Sequence, residues 1–227
     1  MLAPFKTSNP NIIEIGVDEA GRGPMFGPVF AAAVILPRCD TFDYASLKDS
    51  KRFHSKKKIK DVAEYIKKNA LAYGIASCSN HDIDEINIRN ATHRAMHNAI
   101  KQAIASLQTN KHITDPQVHL LVDGCDFKPY TRIDNAVIKQ IPHTCITKGD
   151  NTIGSIAAAS ILAKTARDED IKQLCETYPM IDDMYGISTN NGYGTAAHLK
   201  GIATHGITQF HRKTFGACRE AKLSQIN

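Results

Sequence analysis

Three apolar runs of strand length end in carboxylates, and this pattern limits what the chain can fold into. Residues 12–17 lead into Asp18-Glu19, residues 118–122 into Asp123-Gly124, and residues 144–147 into Lys148-Gly149-Asp150. Short apolar runs of this kind suit strands buried in the middle of a sheet. Ligand sites in open α/β sheets lie beyond the carboxyl ends of strands. If these three ends share one edge, four carboxylates meet in a small volume and their repulsion calls for a cation. Oxygen-only ligation, with no His or Cys beside it, favours Mg²⁺ or Mn²⁺ over zinc. Taken singly, each acid reads more readily as a turn or cap residue than as a ligand, by roughly two to one on turn statistics. The grouping is what points to a metal.

The other segments alternate between strand and helix. Residues 28–37 and 70–77 read as strands bounded by Gly, Pro or a helix end. Ser55 suits the N-cap of a helix to about Asn69, with Ile59, Val62, Ala63 and Ile66 facing inward. A turn and a long helix cover 84–107, with Ile88, Ala91, Ala95, Ala99 and Ala103 along a face of small residues. Residues 155–177 form a second long helix whose first half is nearly all Ala, Ser and Ile. A loop rich in Tyr, Gly and Asn spans 178–195, followed by a helix near 195–205 and a tail helix from about Gly216. This alternation predicts an α/β sheet flanked by helices. Residues 1–11 read as a loose, flexible leader, 12–177 as the core, and 178–227 as a C-terminal loop and helices packed on it.

The 227 residues fit one large domain, and the net charge of +5 permits polyanion binding without requiring it. Six scattered cysteines form no Cys-x-x-Cys pair, which argues against a zinc ribbon and for reduced thiols in a cytoplasmic protein. No apolar run reaches the roughly 20 residues needed to cross a bilayer.

Directly after Asp18-Glu19 comes Gly21-Arg22-Gly23-Pro24. Glycines on either side of a cation let backbone N–H groups approach a phosphate, although a tight structural turn explains them equally well. Lys51, Arg52, Lys56, Lys57 and Lys58 suit a phosphate-tracking edge, or for the last three an ordinary solvated helix start. His93 and His97 have the i, i+4 spacing of a zinc pair, but no Glu follows His93, so an ordinary helix face is the better reading.

Taken together, Asp18-Glu19-Ala20-Gly21-Arg22-Gly23-Pro24, Leu47-Lys48-Asp49-Ser50-Lys51, Val122-Asp123-Gly124, Lys148-Gly149-Asp150, the run from Ser155 to Lys164 with Arg167-Asp168, Gly192-Tyr193-Gly194-Thr195 with His198-Leu199, and His211-Arg212-Lys213-Thr214-Phe215 closely resemble type 2 ribonuclease H, the bacterial ribonuclease HII family. The resemblance covers about residues 12–216. It implies a ribonuclease H-like fold with a mixed five-stranded sheet and a helical C-terminal extension. It implies Asp18, Glu19, Asp123 and Asp150 as catalytic metal ligands, with Asp168 as a supporting ligand, and two Mg²⁺ or Mn²⁺ ions once substrate is bound. Gly21, Arg22 and Gly23 match the element that recognises the ribonucleotide, and Tyr193 the tyrosine that stacks at the RNA–DNA junction. Ser50, Lys51, Lys148 and Arg212 are the further substrate contacts it implies. The partners expected are RNA–DNA hybrid and duplex DNA holding a ribonucleotide, acted on by a monomer. A sliding clamp is conceivable but has no clear motif.

The chain departs from the family pattern at Met25-Phe26, at the acidic stretch 180–184, at Asn190-Asn191 and in the length of 125–147. None of these touches an expected metal ligand.

Overall fold

A computed structural model describes residues 2–39, 41–47, 56–111, 117–134 and 136–224. The strands are β1 (Ile13–Ala20), β2 (Val29–Ile35), β3 (Ala72–Cys78), β4 (Val118–Asp123), β5 (Thr131–Asp134), β6 (Val137–Gln140) and β7 (His143–Ile146). The helices are α1 (Lys56–Asn69), α2 (Asn80–Lys111), α3 (Gly154–Thr177), α4 (Pro179–Tyr185), α5 (Ile187–Asn190) and α6 (Ala196–His205). Five strands form one mixed sheet in the order β3-β2-β1-β4-β7. β1 pairs antiparallel with β2 but parallel with β4, and β4 is parallel with β7. The fold is therefore the ribonuclease H-like α/β arrangement expected from the sequence.

Strand alternation divides the core in two. Ile15, Val17, Ala31, Ala33, Leu120 and Val122 face α2, whereas Ala32 and Val34 face α1 and α3. The small-residue face of α2 is buried as expected, with Ala91, Ala95, Ala99 and Ala103 at 0% exposure. Small residues let both long helices press against the sheet. A Cβ at Gly16 would lie 2.1 Å from the Ser155 backbone, and one at Gly74 2.2 Å from the Ala99 carbonyl oxygen. Within α2, Asn87 has φ 65° and breaks the helix in two. Its side-chain oxygen accepts from the Asn90 N–H, so it caps the longer half. This is the turn expected before the long helix.

Several expectations need correction. The leader is held rather than loose. Ala3 exchanges backbone hydrogen bonds with Thr152 and Gly154, and the buried Glu14 carboxylate accepts from the N–H groups of Lys6 and Thr7. No tail helix starts at Gly216; a 3₁₀ turn (Gly216–Cys218) leads into extended chain that bonds Ile207 through Lys222 and Ser224. The expected loop 178–195 contains α4 and α5, with Asp182 accepting from the N–H and hydroxyl of Ser188. The long segment 125–147 contains the β5–β6 hairpin, where Ile133 opposes Ile138 in an exposed pair. His93 and His97 turn to the carbonyls of Asp126 and Lys128, as an ordinary helix face would.

The C-terminal part packs round Phe26, at 0% exposure, together with Ile171, Ile181, Tyr185, Ile202 and Ile207. The bulky departure at Met25-Phe26 is thus a packing hub. None of the six cysteines is joined in a disulfide. Among the described residues, no helix is long and apolar enough to cross a membrane. Gly16→Ala is expected to lower the unfolding free energy by about 1–3 kcal/mol, because β1 or α3 must move to admit a methyl group. Urea titration followed by circular dichroism measures this, and an unchanged midpoint would contradict the close packing of β1 on α3.

Candidate active site

The parallel pairing of β1 and β4 creates the site. Val17 lies opposite Val122, so the next residues, Asp18 and Asp123, stand side by side where the β1–β4 pairing ends, each still paired on its other side with Ala32 of β2 or Ile146 of β7. Asp18 and Gly16 point to the α3 face, where Asp18 takes a hydrogen bond from Ser160. β7 ends at Ile146, and the chain then turns through a 3₁₀ segment, Gly149–Asn151. One Asp123 oxygen accepts from the N–H groups of Gly149 at 2.7 Å and Asp150 at 3.3 Å. Asp150 therefore reaches the site from a turn, not from a strand end. Lys148 enters that turn with φ 56°, a left-handed conformation.

Asp18, Glu19, Asp123, Asp150 and Asp168 all line one cleft of about 270 Å³. Gly21 and Tyr193 line it too. Arg22 is exposed at its rim and donates to the Glu19 carboxylate at 3.3 Å. The Tyr193 ring, half exposed, covers Gly23, where a Cβ would lie 3.4 Å from the ring edge. Lys148 is exposed on the turn next to Asp150, outside the cleft wall. Ser50 and Lys51 lie outside the described residues, as does Arg52.

Arg212 sits elsewhere than expected. It is 0% exposed, and its guanidinium donates to the carbonyls of Gly21, Arg22, Gly27 and Pro28. Burial lowers its pKa to about 9. It braces the glycine turn from behind and presents no free face to a phosphate.

Four residues line the cleft to which the motifs alone assigned no role: Ser160, Lys164, Arg167 and Asn191. With Asp168, the first three follow the i, i+4, i+7, i+8 spacing of one helix face, which is a readable signal. Arg167 is 4% exposed, donates to the Asn191 carbonyl at 2.9 Å, and keeps a buried Nε without a partner. Gly21, at φ +93°, lies against it; a Cβ there would be 2.2 Å from that Nε. Asn191 adopts a left-handed conformation that turns its carbonyl towards Arg167.

Electrostatics identify what the cleft needs. Burial, followed by the charges of Glu19 and Asp123, pushes Asp18 well above the usual carboxylate range. Burial also raises Glu19, partly offset by Arg22. Buried acids that repel one another, with only oxygen donors, fit a hard divalent cation. Among the described residues, the one trio with ligand atoms within 4.8 Å of each other is His81, Asp82 and Glu85. The cleft acids are spread more widely, and Asp82 is already paired with Arg94.

The fold and these acids define a metal-dependent phosphodiester hydrolase of ribonuclease H-like architecture. The family model described as Ribonuclease HII matches residues 15–218. A curated Ribonuclease HII of Parabacteroides distasonis is 44% identical over 215 residues, covering 95% of this chain and 94% of that one. The crystal structure of ribonuclease H2 from Pyrococcus horikoshii OT3 has the same fold, with TM-score 0.69 at 20% identity over 91% of this chain and 95% of that one. So does Bst ribonuclease HIII in complex with Mn²⁺, with TM-score 0.58 at 21% identity over 85% of this chain and 70% of that one. The chain belongs to the ribonuclease HII family.

A carboxyl whose folded pKa exceeds its unfolded value weakens the fold when ionised. The loss is complete above the folded pKa and is relieved as pH falls through it. Asp18→Asn removes such a charge, so it is expected to raise the unfolding free energy of chelator-treated protein at neutral pH by about 1 kcal/mol. A urea midpoint below that of the wild type would show that Asp18 is not under repulsion.

Proposed function

We propose that this chain is an endoribonuclease that hydrolyses the RNA strand of RNA–DNA hybrids and cuts on the 5′ side of a ribonucleotide embedded in duplex DNA. The products carry 5′-phosphate and 3′-hydroxyl ends. One observation carries this reading: the acids share their cleft with a glycine turn and a half-exposed tyrosine that meet each other at Gly23. A general metal nuclease needs the acids alone.

Asp18, Glu19, Asp123 and Asp150 would hold two Mg²⁺ or Mn²⁺ ions, with Asp168 in support. Bound there, such ions supply an activated water and stabilise the departing 3′-oxygen. The protein's own part is to place the substrate. Gly21 leaves room for Arg167 to pack against the turn, and Gly23 carries no side chain, so the nucleic-acid backbone can come close there. The 2′-hydroxyl donates and accepts hydrogen bonds and distinguishes RNA from DNA at one position. The glycine turn, with Arg22 at its rim, is the element that reads it. Arg167 and Lys164 line the same cleft, and the ammonium of Lys164 suits a phosphate oxygen. Lys148, exposed beside the acids, suits a phosphate, and Ser50 and Lys51 are the further substrate contacts of this reading. Tyr193 offers a ring face to the sugar or base at the junction.

The test is a nicking assay on duplex DNA containing one ribonucleotide, under Mg²⁺ and then Mn²⁺. A single cut on the 5′ side of the ribonucleotide is expected. Asp123→Asn should reduce the rate by more than about 100-fold, beyond the loss typical of residues one layer removed from a metal. Equal rates in the two proteins refute the site. Comparable cleavage of an all-DNA four-way junction refutes the substrate.

Gly21→Ala is expected to fold with reduced stability and to lose most activity on that substrate. Its methyl group would displace Arg167 and strain a left-handed backbone. Wild-type kcat/KM in this variant would remove the glycine turn from the recognition element.

A further inference from the structure

His198 and His211 are both 0% exposed, and neither belongs to the acid cluster. His198 lies in the first turn of α6, and His211 lies in the segment that follows that helix. Their Nε2 atoms are 3.1 Å apart. At one end, His211 Nδ1 is 3.0 Å from the backbone nitrogen of Thr208. At the other, His198 Nδ1 is 3.0 Å from the carbonyl oxygen of Tyr193.

These contacts determine where the protons sit. A backbone N–H can only donate, so Nδ1 of His211 accepts from it, the Thr208 hydroxyl 3.0 Å away is left to donate to the same nitrogen, and the ring proton is on Nε2. That proton is given to Nε2 of His198, which must be bare. The His198 proton is then on Nδ1, where the Tyr193 carbonyl accepts it. Direction passes from the Thr208 N–H through two neutral rings to Tyr193. A second proton on either ring would break the chain: at His198 Nε2 it would oppose the His211 Nε2–H, and at His211 Nδ1 it would oppose the Thr208 N–H. Burial lowers both imidazoles, His211 to about 3 with His198 adding to the effect. Tyr185 is the ionisable side chain edge-on to both rings, and Phe26 covers His211 from another side.

The Tyr193 carbonyl also accepts from Thr195 N–H at 2.8 Å, and Met25 N–H holds the Gly192 carbonyl. The loop that presents Tyr193 is thus tied to the C-terminal segment through His198. The residue after His211 is Arg212, which braces the carbonyls of Gly21 and Arg22. The N–H groups of Lys213 and Thr214 are in turn held by the Asp84 carboxylate. One dipeptide, His211-Arg212, supports both walls of the cleft that face the substrate.

We propose that His198 and His211 form a neutral relay of fixed tautomers that positions Tyr193, and thereby sets the preference for a ribonucleotide next to DNA, without touching the substrate. This rests on the reading of Tyr193 given above. Two measurements on the intact protein test it. In long-range ¹⁵N–¹H spectra, His198 should carry its proton on Nδ1 and His211 on Nε2. Neither should titrate between about pH 5 and 8, where exposed histidines change charge. Opposite tautomers, or a titration in that range, overturn the proposal.

The second measurement compares kcat/KM on duplex DNA with one ribonucleotide against a long RNA–DNA hybrid, with thermal melts as a folding control. His198→Gln keeps a polar group near Nε2 and loses the bond to Tyr193; His198→Asn keeps a donor at the Nδ1 position. For Gln, kcat/KM on the embedded ribonucleotide should fall about tenfold, as for one buried hydrogen bond, and by less than about threefold on the hybrid. Asn should restore most of that loss, and Tyr193→Ala should reproduce the selective pattern of Gln. Equal losses on both substrates, or identical Asn and Gln variants, indicate plain destabilisation and overturn the proposal. Loss in Tyr193→Ala but not in His198→Gln overturns the relay alone. No loss in Tyr193→Ala overturns the reading of Tyr193, and the positioning role with it.

Discussion

The parallel pairing of β1 with β4 is the constraint on which the rest of the molecule depends. Because Val17 is level with Val122, the carboxylates of Asp18 and Asp123 stand together where these two central strands part. A slip of one residue would turn Asp18 away from α3 and its Ser160. Asp123 then orders the next element, since its oxygen takes the N–H groups of Gly149 and Asp150 and so draws in another acid. Charge that opposes folding is thereby concentrated where a cation can use it. Proteins commonly accept such local instability at a functional site.

Behind this point the C-terminal segment works as a brace. Arg212 spends its guanidinium on carbonyls of the glycine turn, and Phe26 anchors the same turn in an apolar cluster. A buried arginine saturated by backbone acceptors rigidifies a loop that has few side chains of its own. Recognition elements on loops need a rigid support to hold their geometry. The ribonuclease HII relatives and the ribonuclease H2 structure share the overall scaffold within which this brace sits.

Much of this was legible in the chain itself. The buried alanine face of α2, the strands and the ends carrying Asp18, Glu19 and Asp123 follow from periodicity and turn chemistry, which are local. The packed leader was not legible, because its anchor is Glu14, a carboxylate directed into a buried position by strand alternation. The missing tail helix was similar, since residues after Gly216 find their hydrogen-bond partners at Ile207 rather than four residues away. Arg212, which the family resemblance implied as a substrate contact, becomes a core residue because four carbonyls distant in sequence converge on it.

The sequence by itself determined which residue types are available at which strand ends, and so the chemistry open to this protein. Periodicity of apolar and small residues depends only on neighbours along the chain, and it survives without knowledge of the fold. Tertiary structure alone decided that Asp18, Asp123, Asp150 and Asp168 share one cleft, that Arg167 keeps a buried donor there, and that His198 meets His211. Those outcomes depend on strand order, register and burial. Such quantities arise between segments far apart in the chain, where desolvation and the direction of each hydrogen bond set what a side chain can do.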